Sequence, residues 1–171
     1  VTGGRLDIAA GESTILYLLP ECVKRFSDTY PKVSLHLHNV TGRDGMEMLR
    51  AGEVDFAVGS MIEVPADVTY VPMFSFEPML ITARDHPLAI QGDISLADIA
   101  PHGLILPPRH LSTWQVVDLV FQQHRLDYRV VLEAGGWEVI KRYVELGLGI
   151  SIATSICLRG DEALTAIPVG R

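Results

Sequence analysis

Residues 17–37 read YLLPECVKRFSDTYPKVSLHL and constrain the fold of this chain more than any other stretch. Around their start, apolar side chains recur at the i, i+3, i+4, i+7 spacing of one helical face: Ile15, Leu18, Leu19, Cys22, Val23 and Phe26. The Tyr30-Pro31 pair ends this helix, because proline disfavours the α conformation of the residue before it. Residues 33–37 then alternate between apolar and polar, which is the period of a strand. A helix followed at once by a strand predicts the first half of a βαβ unit.

The same two periods alternate along the rest of the chain. Strands are predicted at residues 5–10, 33–39, 54–59, 69–74, 78–83, 103–106, 129–134, 150–153 and 164–168, and helices at 14–29, 43–51, 95–99, 112–125 and 137–147. This order predicts an α/β fold with a mostly parallel sheet and right-handed crossovers. Gly147 follows the last helix as a C-terminal cap. Pro20 conflicts with the first helix, so that helix either begins later, near Leu16, or bends at the proline.

Composition bounds the class of protein. The 171 residues are 48% hydrophobic and carry a net charge of -7, which argues against a polyanion-binding surface. No run approaches the about 20 apolar residues that span a bilayer, and the first residues lack the pattern of a signal peptide. Cys22 is predicted on the buried helix face and Cys157 beside an apolar stretch, which favours free thiols in a reducing compartment. The chain is therefore predicted to be cytoplasmic and not bound to a membrane.

Two changes in the composition of the chain predict a division into two lobes. They lie around residues 72–78 and 153–155, and the chain is predicted to cross between lobes at each of them. The first lobe would then contain residues 1–74 plus 154–171, and the second lobe residues 75–153. Two crossings make a hinge.

Several segments together resemble the effector-binding domain of LysR-type transcriptional regulators. They are GRLDIAAG, LLPECVKRFSDTYPKVSLHL, GEVDFAVG, DHPLA and VIKRYVELGLGISIA, in the order and spacing of that family. The resemblance implies two Rossmann-like lobes around a hinge and an inter-lobe cleft, like the type 2 periplasmic solute-binding proteins. Residues 139–152 are most similar to the branch that regulates sulfur assimilation and cysteine biosynthesis.

The resemblance also implies a function. A small effector (the co-inducer) would bind between the lobes and signal to an N-terminal winged helix-turn-helix that this sequence lacks, so DNA would be bound through that domain alone. The family's last strand and helix of the first lobe would follow Arg171. The domain would form a homodimer or tetramer, pairing the first helix of one protomer with the 112–125 helix of another. The alternative is the solute-binding protein of a transporter, and a winged helix or a signal peptide upstream separates the two.

Candidate ligand residues lie where predicted strands lead into helices. Ligands of open parallel sheets bind at the carboxyl ends of strands, where helix N-termini present backbone N–H groups. Four such turns contain the candidates Ser13 and Thr14, Thr41, Ser112 and Thr113, and Gly136 and Trp137. The alternative for each hydroxyl is an N-cap, which stabilises a helix by about 1 kcal/mol. By resemblance to the sulfur branch, Ser13, Thr14, Thr41 and Ser112 take the positions that hold a small anion or inducer.

The charged side chains near these turns do not decide the identity of the ligand. Arg109 is predicted to pair with a carboxylate or sulfate. Glu12 and Glu138 either complement helix dipoles or face the ligand, and a zwitterion suits the second case better than sulfate. A sulfate-like anion and an acetylserine-like metabolite both remain. Trp137 either stacks on the ligand or packs inside its lobe.

Motifs of catalysis and of metal binding are absent from the sequence. His36 and His38 share a strand face, but no third ligand follows at a diagnostic spacing, which favours a solvated face. There is no nucleophile elbow, phosphate-binding loop or dinucleotide-binding fingerprint, and the glycines at 147–149 follow a helix. The sequence predicts no enzyme activity, no metal and no cofactor.

Overall fold

A computed structural model describes residues 3–170 and divides the chain into two compact units. The first extends to Pro65, and the second begins at Ala66. Each unit has its own sheet and helices. None of the helices in residues 3–170 is long and apolar enough to cross a bilayer.

The first unit is a parallel three-stranded sheet with helical connections. Its elements are β1 (Gly4–Ala10), α1 (Leu19–Thr29), β2 (Val33–Asn39), α2 (Gly42–Arg50) and β3 (Phe56–Val58). The strand order is β2-β1-β3, and both pairs are parallel. The βαβ unit predicted from residues 17–37 is therefore present.

Pro20 divides the predicted first helix in two. Residues Thr14–Leu18 form a single π-helical turn, and α1 begins at Leu19 with Pro20 in its first turn. Proline fits there because the first N–H groups of a helix have no partner within the helix. Of the predicted apolar face, Leu19 is buried, whereas Cys22 is exposed. The prediction that Cys22 is buried was wrong.

The second unit contains two small sheets. Its strands are β4 (Pro78–Ala83), β5 (Gly103–Leu106), β6 (Arg129–Glu133), β7 (Ser151–Thr154) and β8 (Leu164–Pro168), and its helices are α3 (Leu96–Ile99), α4 (Ser112–Gln123) and α5 (Trp137–Glu145). β5 and β6 pair in parallel, while β4 pairs antiparallel with both β7 and β8. An isolated bridge from Leu104 to Ile150 joins the β5 strand to the start of β7.

The core of the second unit lies beneath α4 and α5. Phe121 of α4 and Ile140 of α5 are fully buried, as are Leu104 and Leu106 of β5. Gly149 lets the chain before β7 approach β5 closely: a Cβ at this position would lie 2.8 Å from the carbonyl oxygen of Gly103. Position 149 therefore requires glycine, because any side chain would clash with β5.

One strand predicted for this region is absent from the structure. Residues 69–74 form no strand: Pro72 supplies no N–H, and no strand in the described part of the chain pairs with them. At the C-terminal side of the second unit, β8 is hydrogen-bonded along β4.

Candidate functional site

The candidate hydroxyls of the first unit follow the carboxyl ends of two paired strands. Ala10 at the end of β1 lies opposite Asn39 at the end of β2. The Val40 N–H also donates to the Ala10 carbonyl at 3.0 Å, which holds the two strand ends together. Ser13 and Thr14 follow β1, Thr41 follows β2, and all three are partly buried. The topology thus places three candidates at one edge of this sheet.

Their local roles differ. Thr41 is the N-cap of α2, and its hydroxyl accepts a hydrogen bond from the Asp44 N–H at 3.3 Å. Ser13 heads the π-helical turn, but its hydroxyl makes no capping hydrogen bond. Thr41 therefore has the stabilising role that a cap residue performs, and Ser13 does not.

Sequence reasoning missed a third turn at the same edge. β3 pairs with β1 so that Val58 lies opposite Ala10. Gly59 and Ser60 follow β3 directly. They therefore lie at the same edge of the sheet as Ser13 and Thr41. The rule that strand ends bind ligands would have included them if it had been applied to the predicted 54–59 strand.

The second unit repeats this arrangement. Leu106 at the end of β5 lies opposite Glu133 at the end of β6, and the Ala134 N–H donates to the Leu106 carbonyl at 3.1 Å. Ser112 and Thr113 begin α4, whose N-cap is Leu111. Gly136 is the N-cap of α5, with a φ of 84° that favours glycine. The two helix starts therefore follow neighbouring strands.

Trp137 and Arg109 face different surroundings. Trp137 is 6% exposed, which favours the packing alternative over stacking on a ligand. The Arg109 guanidinium lies over the ring of Trp114, 5.4 Å from its centroid. Arg109 and Trp114 line an open groove of about 640 Å³. Its other lining residues are Asp118, Gln122, Leu126, Asp127, Tyr128 and Val130. Ser112 and Thr113 are not among them.

The polar side chains of this groove are fixed by one another. Tyr128 donates to Asp118 Oδ1 at 2.6 Å, and Gln122 donates to Asp118 Oδ2 at 2.7 Å. Burial, together with the Asp118 carboxylate, raises the pKa of Tyr128 to about 12. Both oxygens of Asp118 thus already accept hydrogen bonds.

A buried lysine organises the first turn of α5. The Lys141 side chain is 2% exposed, and its ammonium donates to the Cys157 carbonyl at 2.7 Å. It also lies 2.9 Å from a carboxylate oxygen of Glu138 and 2.9 Å from one of Glu162. Arg159 lies 3.5 Å from Glu138. We call these four charged residues, Glu138, Lys141, Arg159 and Glu162, the α5 charge cluster. Sequence reasoning found Glu138 alone.

Titration within this cluster follows the ion pairs. Burial by itself would raise the pKa of Glu162, but hydrogen bonds from the Arg159 N–H and the Lys141 ammonium outweigh burial and lower that pKa to about 2. Burial would likewise lower the pKa of Lys141, yet the Glu162 and Glu138 carboxylates raise it. Lys141 and Glu162 are therefore both charged at neutral pH.

The two histidines of β2 make hydrogen bonds to polar side chains of the same sheet. His36 lies 3.0 Å from the Ser34 hydroxyl, and His38 lies 2.8 Å from Asp7. Hydrogen bonds from Arg5 and His38 hold the pKa of Asp7 well below its usual range. Within residues 3–170, no group of three or more His, Cys, Asp or Glu side chains is arranged to hold a metal.

Comparison with known proteins adds the family. Residues 1–171 match the model of the LysR substrate binding domain. The HTH-type transcriptional regulator CysB of Haemophilus influenzae is 31% identical over 156 residues, which cover 90% of this chain and 48% of that protein. The regulator cbl of Escherichia coli is 32% identical over 152 residues, which cover 88% and 48%. The regulatory domain of CcmR from Synechocystis PCC6803, solved in complex with 2-PG, matches with a TM-score of 0.87 at 27% identity, covering 97% of this chain and 81% of that one.

These matches agree with the sequence analysis. CysB and cbl belong to the sulfur-assimilation regulators that residues 139–152 resemble, and the structural match confirms the predicted α/β fold of the periplasmic-binding-protein-like type. The chain spans about half the length of the curated regulators it matches. The family model covers the whole sequence, and this chain belongs to the LysR substrate binding domain family.

Proposed function

We propose that this chain senses a small polar, anionic metabolite for a LysR-type transcriptional regulator. The observation that carries the proposal is the repeated arrangement of strand ends, in which each unit presents helix starts with hydroxyls or glycine at the carboxyl edge of a parallel sheet. Helix starts of this kind favour anions. The proposed contact residues are Ser13, Thr14 and Thr41 in the first unit and Ser112, Thr113 and Gly136 in the second.

The regulator fits better than the transporter alternative. The curated relatives are named transcriptional regulators, and they are about twice as long as this chain. The net charge of -7 argues against a DNA-binding surface on this domain. DNA binding is therefore assigned to another part of the parent protein. The effector must bind one conformation better than another, because equal affinity for both shifts nothing.

A homodimer is part of the same proposal. The apolar side chains Val116 and Leu119 of α4 are 48% and 44% exposed, and Leu16, just before α1, is 39% exposed. Pairing of α1 with the α4 of a second copy would cover them, and burial of apolar surface favours association.

Alanine at Thr41 and at Ser112 tests the effector site. We expect each substitution to weaken effector binding about tenfold, the loss typical of a hydrogen bond to a charged ligand. Thermal shift with sulfate, thiosulfate, O-acetylserine, N-acetylserine and aromatic acids first identifies a ligand, because a binder of the folded state raises Tm. Calorimetry then measures its Kd in each variant.

Thr29→Ala is the matched control, since its hydroxyl donates to the Arg25 carbonyl at the far end of α1. Thr41→Ala should also lose about 1 kcal/mol of stability as a cap, so binding is measured well below Tm. Unchanged affinity in both variants would remove the proposed site.

A further inference from the structure

The four charges of the α5 charge cluster sum to zero, and two of its side chains are buried while the other two are exposed. It contains the carboxylates of Glu138 and Glu162 and the cations Lys141 and Arg159. Lys141 and Glu162 are 2% and 10% exposed, whereas Glu138 and Arg159 are 46% and 50% exposed. The buried pair ties α5 to the 157–162 segment. Lys141 also donates to the Cys157 carbonyl, and Glu162 accepts from the Arg159 and Gly160 N–H groups at 2.8 and 2.9 Å. The exposed pair, Glu138 and Arg159, is open to solvent.

The position of Glu138 makes its charge important. It lies in the first turn of α5, two residues after the N-cap Gly136. A carboxylate there stabilises the helix but repels an anion at the same helix end. Two cations lie within 3.5 Å of Glu138 and offset this repulsion.

We propose that Glu138 determines the charge preference of the effector site, with Lys141 and Arg159 compensating its carboxylate so that an anionic group is accepted beside Gly136. This inference rests on the proposed function, which places the effector at the start of α5. Loss of the Glu138 charge leaves the cluster positive and favours anions. Loss of the Arg159 charge leaves it negative and disfavours them.

Two exposed substitutions, E138Q and R159Q, test the proposal with sulfate and the zwitterion O-acetylserine as probes. In calorimetry at constant ionic strength, E138Q should tighten sulfate binding about three- to tenfold, and R159Q should weaken it by a similar factor. Binding of O-acetylserine should change less than about twofold in either variant, because its net charge is zero.

The other end of the same helix supplies matched controls. Arg142 and Glu145 form an ion pair at 3.1 Å in the last turn of α5, so E145Q and R142Q change the net charge of the domain by the same amounts. Their sulfate affinities should stay close to that of the wild type. Equal shifts in E138Q and E145Q, or no shift in E138Q, would overturn the role of Glu138 while leaving the proposed function standing. A wild-type domain that binds neither probe would contradict this inference, whereas the proposed function is contradicted only if the wider ligand screen also finds no binder.

Discussion

Replacing Lys141 with methionine is expected to destabilise the second unit by about 3–5 kcal/mol, the usual cost of removing one partner of a buried ion pair. Methionine fills most of the lysine volume but leaves Glu162, which is 10% exposed, without its ammonium. The Cys157 carbonyl also loses its donor. Urea unfolding at neutral pH, followed by circular dichroism, measures the change.

An exposed lysine is the control for this substitution. Lys24 lies 2.6 Å from Asp28 on α1, with the two side chains 73% and 62% exposed. Lys24→Met should cost no more than about 0.5 kcal/mol, because solvent screens such a pair. The double variant K141M/E162Q should recover part of the loss, since no full charge is then left unpaired at Glu162. A loss below about 1 kcal/mol in K141M would show that the ammonium does not stabilise the fold.

Gly149→Ala is expected to cost about 1–3 kcal/mol or more, as overpacking in a close-packed interior does. The added Cβ would lie 2.8 Å from the Gly103 carbonyl oxygen, 2.9 Å from a methyl of Val131 and 3.0 Å from Ile105. The carbonyl belongs to β5 and cannot rotate away like a side chain. Thermal unfolding of the variant measures the loss.

Gly92→Ala provides the comparison. A Cβ at Gly92 meets nothing within 4 Å, and its φ lies outside the left-handed region. We expect a change within about 0.5 kcal/mol for this exposed position. If the two alanine variants unfold at the same temperature, the close approach of residue 149 to β5 is not as described.

Patterns that depend on a few neighbouring residues predicted the structure well. α5 was found from its apolar spacing, and Gly147 ends the helix as predicted, with a φ of 77° and the Leu148 N–H donating to the Tyr143 carbonyl at 3.2 Å. The strands at 33–39, 78–83, 103–106 and 164–168 have the predicted bounds. In each case the residues that set the geometry lie within the element itself.

Features that depend on distant residues were missed. The apolar run at 69–74 reads as a strand, but a strand needs a partner, and residues 3–170 supply none. Lys141 of α5 is buried because it pairs with Glu162, which lies 21 residues later in the chain. No local pattern indicates that pairing.

The sequence predicts where the candidate site residues lie along the chain but not the contacts that their side chains make. The order of strands and helices locates the turns after β1, β2, β5 and β6, because parallel neighbours end at a common edge. The sequence does not show that the Thr41 hydroxyl already caps α2 or that Trp137 is buried. Those properties depend on side-chain conformation and on packing.

An NMR titration of the labelled domain with the ligand from the thermal-shift screen tests the central claim most directly. We expect the backbone amides near Thr41, Ser112 and Gly136 to shift as the ligand is added, each with the Kd measured by calorimetry. Shifts confined to the groove beside Arg109 and Trp114, with none at these helix starts, would contradict an effector site at the strand ends.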